Sequence, residues 1–496
     1  MLKVPSYFTL FASVLFLLNL LVMNDYASLW DGAESFLAWR ALHGLPGFTL
    51  HEQVLALPLS AGEPPIDHFA LRLPSVAVLL LSLLIAYFLL RPLLGKQLLG
   101  NTFLLLASSL LVTNLAKVAA GDIWAFALQA ASFSALLRYL KQPNLQWQIV
   151  FYLVFPLALW VQPAGSSLLV FLASAYYYFA HPSGRVLLKL NPWAMGILVL
   201  AALYFLQWID FSQHSFYIGF RTGRFLGANL LGVMPFLGLA LAGVWESFRR
   251  SRQGEELSVV LFGAVLAGLV AHAAVWQAVL ALVAAKQLKS YFVPNYPYRS
   301  IVLAGAIVQI VAAACFLIVL MMGSFLQFEG AGFRSALLAG GMYWVLSFLG
   351  AIGLLGNREG YAKAGITFSG ILLTTFFWLR LYPLVEGQRI WATDMPKEAI
   401  EQPLVSRNTY CAVLPPKDAP FLALSAYAKA RFPNTVILDR PGQLQDAVAD
   451  QPDALFFLPV PISEKLPEAP IDTVRYKGWT SRLQQVEYTR ILPAGQ

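Results

Sequence analysis

Twelve apolar runs follow one another along the chain, at 7–23, 73–90, 98–115, 123–137, 147–161, 164–180, 192–209, 227–246, 257–284, 299–328, 335–355 and 364–381. A helix needs roughly 20 apolar residues to cross the hydrocarbon core of a bilayer. One such run is compatible with a buried core helix, but a series of them is not. The chain therefore reads as an α-helical polytopic membrane protein, and the runs predict twelve or thirteen spans. Charged residues make up 12% of the chain, against about 25% in soluble domains.

The loops carry orientation. "RPLLGK" (91–96), "RYLK" (138–141), "GRVLLK" (184–189) and "RRSR" (249–252) fall at every second loop, which assigns them and the N-terminus to the cytoplasm. The net charge of +8 has its ordinary cause there, and a nucleic-acid partner is excluded. Lys3 precedes a long apolar segment without a small-x-small cleavage site, so the first run is expected to stay as a span. The first outer loop, 24–72, is acid-rich: Asp25, Asp31, Glu34, Glu52, Glu63 and Asp67. Beyond residue 285 the alternation is ambiguous. "KQLKSYFVPNYPYR" (286–299) counts as outside, yet it carries three basic residues. The run 299–328 is long for one span and short for two, so hydropathy leaves the side of the tail open.

From 386 the composition changes. "YCAVLP", "TVILD" and "DALFFLPV" read as strands, "APFLALSAYAKARF" and "PGQLQDAVADQ" as helices, and the C-terminus as a hairpin. This pattern predicts a transmembrane domain over 1–385 and a small soluble α/β domain over 386–496. No Gly-rich phosphate loop follows any of these strands. Cys315 and Cys411 lie in different environments and the histidines are scattered, so neither a disulfide framework nor a protein-built zinc site is indicated.

Two acidic residues stand at the outer membrane boundary. Asp31, with Glu34, lies in "WDGAESFLAWRALHG" (30–44), and Asp122 lies in "AKVAAGDIWAFAL" (116–128). Ionisable groups at such a boundary are costly to desolvate. Two carboxylates from separate outer loops could share one site, one taking a proton from an acceptor hydroxyl while the other holds a cation or the acceptor. Plainer readings stand beside this one. An Asp before an apolar helix is a favoured cap, and acids at a helix start complement its dipole. Arg221 and Arg224 in "FRTGRF" fit an interfacial anchor as well as an anion contact. Arg72 fits the start of a span, and Tyr291 fits an aromatic belt.

The order of motifs is distinctive. "WDGAESFLAWRALHG", "EPPIDHFALRLPS", "AKVAAGDIWAFAL", "FYIGFRTGRF" and "AAKQLKSYFVPNYP" together resemble the membrane-embedded GT-C glycosyltransferases, in particular the aminoarabinose-transferase and protein O-mannosyltransferase-like group of bacteria. The resemblance covers most of the chain in the right order. It implies a GT-C-like fold in a bacterial inner membrane, closed by a periplasmic α/β domain. It also implies an inverting transfer of one sugar from a polyprenyl-phosphate donor to a lipid, glycan or protein acceptor outside the membrane. Carried over position by position, it makes Asp31 and Asp122 the catalytic acids, and the ligands of a divalent metal ion if one is used. Arg72, Arg224, Lys286, Lys289 and Tyr291 become the donor-phosphate contacts. Glu34, Glu63 and Arg221 become further cavity residues.

The departures from the pattern are equally specific. Gly32 stands where the group has a second acid. Glu63 stands where a phosphate-binding lysine belongs, which reverses the charge. "WVQPAG" (160–165) lacks the lysine of a Thr-Lys-Gly. A catalytically degenerate relative, kept as a binding or assembly subunit of an envelope complex, is thus the second reading. A secondary transporter is disfavoured by the lack of an inverted repeat or paired broken helices.

Overall fold

The computed structural model describes residues 6–23, 49–61, 68–119, 121–206, 208, 221–328, 330, 332–384, 411–413, 434–438, 442–450, 455–459, 472–479 and 485–492. Asp31, Glu34 and Glu63 lie outside the described residues. The chain divides into two units. The first comprises Met1–Met23, Ser75–Lys117 and Gly121–Leu381, and the second Asn24–Pro74, Val118–Ala120 and Tyr382–Gln496.

The helices run in chain order as α1 Ser6–Leu21, α2 Leu50–Ala61, α3 His68–Ser108, α4 Leu110–Ala116, α5 Gly121–Lys141, α6 Leu145–Val161 and α7 Pro163–Ala180. They continue as α8 Leu187–Leu190, α9 Pro192–Phe205, α10 Arg221–Gly232, α11 Leu237–Ser251 and α12 Glu256–Val270. The last helices before the tail are α13 Trp276–Tyr291, α14 Arg299–Phe328, α15 Phe333–Leu355 and α16 Glu359–Phe376. Among the described residues six helical stretches are long and apolar enough to cross a membrane, or seven with the bent pair Phe225–Gly232 and Met234–Ser251. Shorter apolar helices include Phe8–Leu21, Leu145–Val161 and Glu256–Val270.

Within the first unit α5 is central: 89% of its apolar window is buried, against 22% for α14. The core around it joins α5 to α6, α7 and α12 through Phe133, Leu137, Phe151, Phe155, Leu169 and Val259. At the perimeter, Leu10, Phe11 and Leu18 on α1 and Ile307, Val311 and Ile318 on α14 are exposed. Apolar surface on that scale is a lipid-facing surface, not that of a soluble domain. Close helix pairs rely on small residues. On α15 and α16, Gly350 meets Gly365 so tightly that a Cβ at Gly365 would lie 2.2 Å from the Gly350 nitrogen. Backbones approach this closely where small side chains line a membrane helix interface.

α3 is broken at Gly95 (φ 78°), a backbone region that glycine enters without steric cost. A straight helix of its length would span about 60 Å, twice the hydrocarbon core. Its two halves instead line one cavity, so the chain folds back at Gly95. The "RPLLGK" loop is this fold-back.

The unit has two ends, and α5 connects them. Asp122 opens α5 and Lys141 closes it, about 30 Å apart by helical rise. Lys141 pairs with Glu256 at the start of α12, and Tyr177 near the end of α7 donates to the same carboxylate at 2.8 Å. At the same end Arg250 pairs with Glu246 at 2.6 Å. The basic loops that the sequence put on one side of a membrane thus meet at one end of the bundle.

One expectation fails here. The run 257–284 is two helices, α12 and α13, separated at 271–275. His272 takes a left-handed conformation (φ 48°), and the Ala273 amide bonds back to the Gly268 carbonyl at 2.9 Å. This is a Schellman stop with a histidine where glycine usually stands. The extra reversal changes the parity of every later segment. Lys286 on α13 lies 3.8 Å from Glu255 and 3.9 Å from Glu246, so α13 ends at the Lys141 end. There Tyr291 Oη donates to the Leu354 carbonyl at 3.0 Å, and Arg299 at the start of α14 donates to the Leu355 carbonyl at 3.2 Å. α14 is a single helix of 30 residues.

In the second unit, the Thr49 amide at the start of α2 donates to the Glu52 carboxylate at 2.7 Å, one half of a Thr-x-x-Glu capping box, while Thr49 Oγ1 pairs with His51 Nδ1 at 2.6 Å. One acid of the first outer loop thus has a local structural role. The tail contributes a five-stranded sheet of order β2-β1-β3-β5-β4. Its strands are β1 Cys411–Val413, β2 Thr435–Ile437, β3 Leu455–Pro459, β4 Asp472–Trp479 and β5 Gln485–Leu492, with one helix, α17 Gln443–Asp450, between β2 and β3. β1 runs parallel to β2 and β3, whereas β3–β5 and β4–β5 are antiparallel. The "APFLALSAYAKARF" segment lies outside the described residues.

Candidate functional site

Within the first unit the Asp122 end holds a buried polar cluster built from four elements. Lys117, just past α4, is fully buried and donates from Nζ to Asn19 Oδ1 on α1 at 2.6 Å. Asn19 Nδ2 in turn donates to Thr374 Oγ1 on α16 at 2.9 Å. α16 continues as a π turn, Phe377–Leu381, an irregularity frequent at functional sites. That turn carries Trp378, whose ring lies 5.6 Å from Lys117 Nζ and whose Nε1 donates to Asn114 Oδ1 at 2.8 Å. Lys117 thus has an amide oxygen and an aromatic face around it, and no carboxylate within ion-pair distance among the described residues. Burial lowers its amine from 10.5 to about 7, because the charged form loses hydration that these partners do not replace.

Asp122 is exposed in the first turn of α5, where a carboxylate complements the helix dipole. Two residues on, Trp124 Nε1 donates to Ser75 Oγ at 3.2 Å. α10, which bears Arg221 and Arg224, packs at this end too. The Phe225 ring lies 5.0 Å from His272 and 5.4 Å from Trp276. The turn between α12 and α13 is tied to α5 by Gln129, which accepts from the Val275 amide at 3.1 Å. Asn229 on α10 accepts from Gln277 Nε2 at 2.9 Å, and Gln277 accepts from Ser109 at 3.1 Å.

Lys286, Lys289 and Tyr291 are not brought to Asp122. Lys286 Nζ lies 3.8 Å from Glu255 and 3.9 Å from Glu246, beside the Lys141–Glu256 pair and so about 30 Å from Asp122 along α5. Gln287 bonds to Glu246 and Tyr296 to Gln287, which makes "KQLKSYFVPNYP" a structural knot at the far end. The break at His272 (φ 48°) is what separates this segment from Asp122 within the unit. Arg72 is fully buried on α3. Asp31, Glu34 and Glu63 fall outside the described residues.

Sequence reasoning missed Lys117. The signal was present, a lysine five residues before Asp122 in an otherwise apolar stretch, but it reads as an interfacial anchor until Asn19 and Trp378 are seen around it. Among the described residues no group of three or more His, Cys, Asp or Glu side chains could hold a metal ion.

Comparison with solved structures decides the architecture. Two crystal structures of ArnT from Cupriavidus metallidurans, one in the apo state and one bound to undecaprenyl phosphate, each superpose with a TM-score of 0.66 over 97% of both chains, at 13% and 12% identity. The chain has the GT-C fold of ArnT. By sequence it matches no protein-family model and no curated protein. At this identity the likeness to ArnT is one of fold.

Proposed function

We propose that the protein is a polyprenyl-phosphate-sugar-dependent glycosyltransferase working at the extracytoplasmic face of a bacterial inner membrane. The observation that carries this reading is the buried cation of Lys117 at the Asp122 end of an ArnT-like bundle. A leaving polyprenyl phosphate needs cations or donors opposite its oxygens. Lys117 in its protonated form supplies a positive charge that is paired with no carboxylate among the described residues. It takes the place of the lysine that Glu63 replaced, with Arg224 on α10 as the second contact.

In this scheme Asp31 takes the proton of the acceptor hydroxyl as its oxygen attacks the anomeric carbon from the side opposite the phosphate. The new glycosidic bond forms, the carbon–phosphate-oxygen bond breaks, and the configuration inverts. Asp122 orients the acceptor. The tail domain belongs to the same extracytoplasmic side, because α16 ends at the Lys117 end of its unit and the basic loops gather at the other.

Binding of a radiolabelled polyprenyl-phosphate sugar to the purified chain tests the reading, together with mass spectrometry of envelope lipids and glycoproteins from a deletion strain. Lys117→Met and Arg224→Ala should each abolish or strongly weaken binding, and Glu63→Lys should preserve or improve it. A wild-type chain that binds no such donor, in a strain whose envelope glycans are unchanged, is an assembly subunit on a retained GT-C scaffold, the reading that Gly32 and Glu63 favour.

A further inference from the structure

The first unit contains a second feature, whose mouth lies at the end opposite Lys117 and which is independent of the transferase reading. A cavity of about 480 Å³ lies between α1, both halves of α3, α5 and the start of α13. Its walls are aliphatic and aromatic. Three hydroxyls on those walls are already spent on their own helices: Ser13 on the Thr9 carbonyl at 2.8 Å, Thr102 on Leu98 at 2.9 Å and Ser134 on Ala130 at 2.7 Å. Thr9 and Tyr87 bring two further hydroxyls to the lining, so the cavity offers a polar solute little along its length.

Charge is confined to one end. Lys96, just after the Gly95 fold-back, lines the cavity there, and Arg91 lies 6.0 Å from the ring of Tyr87, another wall residue. Both cations are exposed and neither has an ion pair among the described residues. From Lys96 to Leu106, the far wall on the same helix, is ten residues, or about 15 Å. That is half of a roughly 30 Å hydrocarbon core, the depth of one leaflet.

We propose that this cavity is a binding site for one anionic phospholipid of the leaflet on the Lys96 side. One acyl chain fills the cavity and the phosphate is held by Lys96 and Arg91. An apolar slot one leaflet deep with paired cations at its mouth matches that amphiphile in length, polarity and charge. The basic loops place this mouth at the cytoplasmic leaflet, whose anionic lipids attract juxtamembrane cations.

Gly100 provides the test. It lines the cavity, and a Cβ there would meet nothing within 4 Å. Gly100→Phe should therefore fill the slot without a clash, and Gly100→Leu is the milder version should the ring disturb folding. The full-length protein, delipidated in detergent, is titrated with phosphatidylglycerol, phosphatidylcholine or undecaprenyl phosphate, and read by native mass spectrometry and by melting temperature.

One retained phosphatidylglycerol per chain, bound at least tenfold more tightly than phosphatidylcholine and raising the melting temperature, is expected for the wild type. The double variant Arg91→Gln, Lys96→Gln should lose the preference. Either Gly100 variant should lose retention and the lipid-induced shift, while Gly341→Phe, at an open position on α15, keeps both. Equal binding of the two phospholipids, retention undiminished in both Gly100 variants, or undecaprenyl phosphate retained by the wild type and lost in both Gly100 variants overturns the proposal. None of these outcomes bears on Lys117, so the two proposals fail separately.

Discussion

Lys117 Nζ sits 2.6 Å from Asn19 Oδ1, a contact that joins the end of the first helix to the connector before the central one. It fixes a buried amine that titrates near 7, where a free lysine holds its proton to about 10.5. Between those values the unfolded chain binds more protons than the folded one, so stability rises with pH across that window. Wild type should gain melting temperature relative to Lys117→Met between pH 7 and 10. Donor binding should move the opposite way, because a phosphate is held by the charged amine and affinity falls as the proton is lost above pH 7. Lys117→Arg, charged throughout, should flatten the affinity profile. Parallel affinity profiles for wild type and Lys117→Arg would remove Lys117 from the site.

Asp122 carries the second prediction. Asp122→Asn keeps a polar side chain in the first turn but removes the charge. Transfer should fall by about 10²–10⁴-fold, the usual range for loss of a positioned acid–base group, with the melting temperature nearly unchanged. Asp31→Asn should behave alike. A helix-start role alone would give the reverse pattern, full activity with a loss of stability of up to about 1 kcal/mol. Paired activity and melting measurements on the two variants distinguish the cases.

Packing of α15 on α16 gives a third. Gly365→Leu forces a side chain against the Gly350 backbone, and overpacking of this kind costs about 1–3 kcal/mol or more. Gly341→Ala, on the same α15 but facing open space, should be neutral or stabilising, since glycine in a helix interior is the less favourable residue. Thermal unfolding in one detergent compares them. Equal melting temperatures would mean that the small residues are not what holds this helix pair.

Much of the membrane architecture was legible because it rests on patterns that hydropathy captures. The loops ending in Lys96, Lys141 and Arg252 alternate in charge with their neighbours, and Lys141, Glu256 and Arg250 do meet at one end. The break at His272 was not legible. "VAHAAVW" contains neither glycine nor proline, and a left-handed histidine is a conformational choice that no apolar count registers. Read without that reversal, Lys286, Lys289 and Tyr291 fall at the Asp122 end of the first unit. Lys117 escaped for a different reason. Its significance lies in residues almost 100 and 260 positions away in sequence, Asn19 and Trp378, and only the folded chain brings them together.

The reversal at His272 makes the last prediction. With Cys315→Ala and Cys411→Ser as background, single cysteines at Lys96, Lys289 and Asp122 report on which face of the membrane each lies. α5 separates Asp122 from Lys141 by about 30 Å, while Lys286 lies with Glu255 and Glu246 beside the Lys141–Glu256 pair. Lys96→Cys and Lys289→Cys should therefore react with a membrane-impermeant maleimide only after the cytoplasm is opened, and Asp122→Cys should react in intact spheroplasts. Had 257–284 been one span, Lys289→Cys would label with Asp122→Cys instead. That result would restore the three residues as candidates for the donor phosphate and withdraw Lys117 as their substitute. Labelling of Lys96→Cys from outside would invert the whole chain, and with it the assignment of the lipid cavity to the cytoplasmic leaflet.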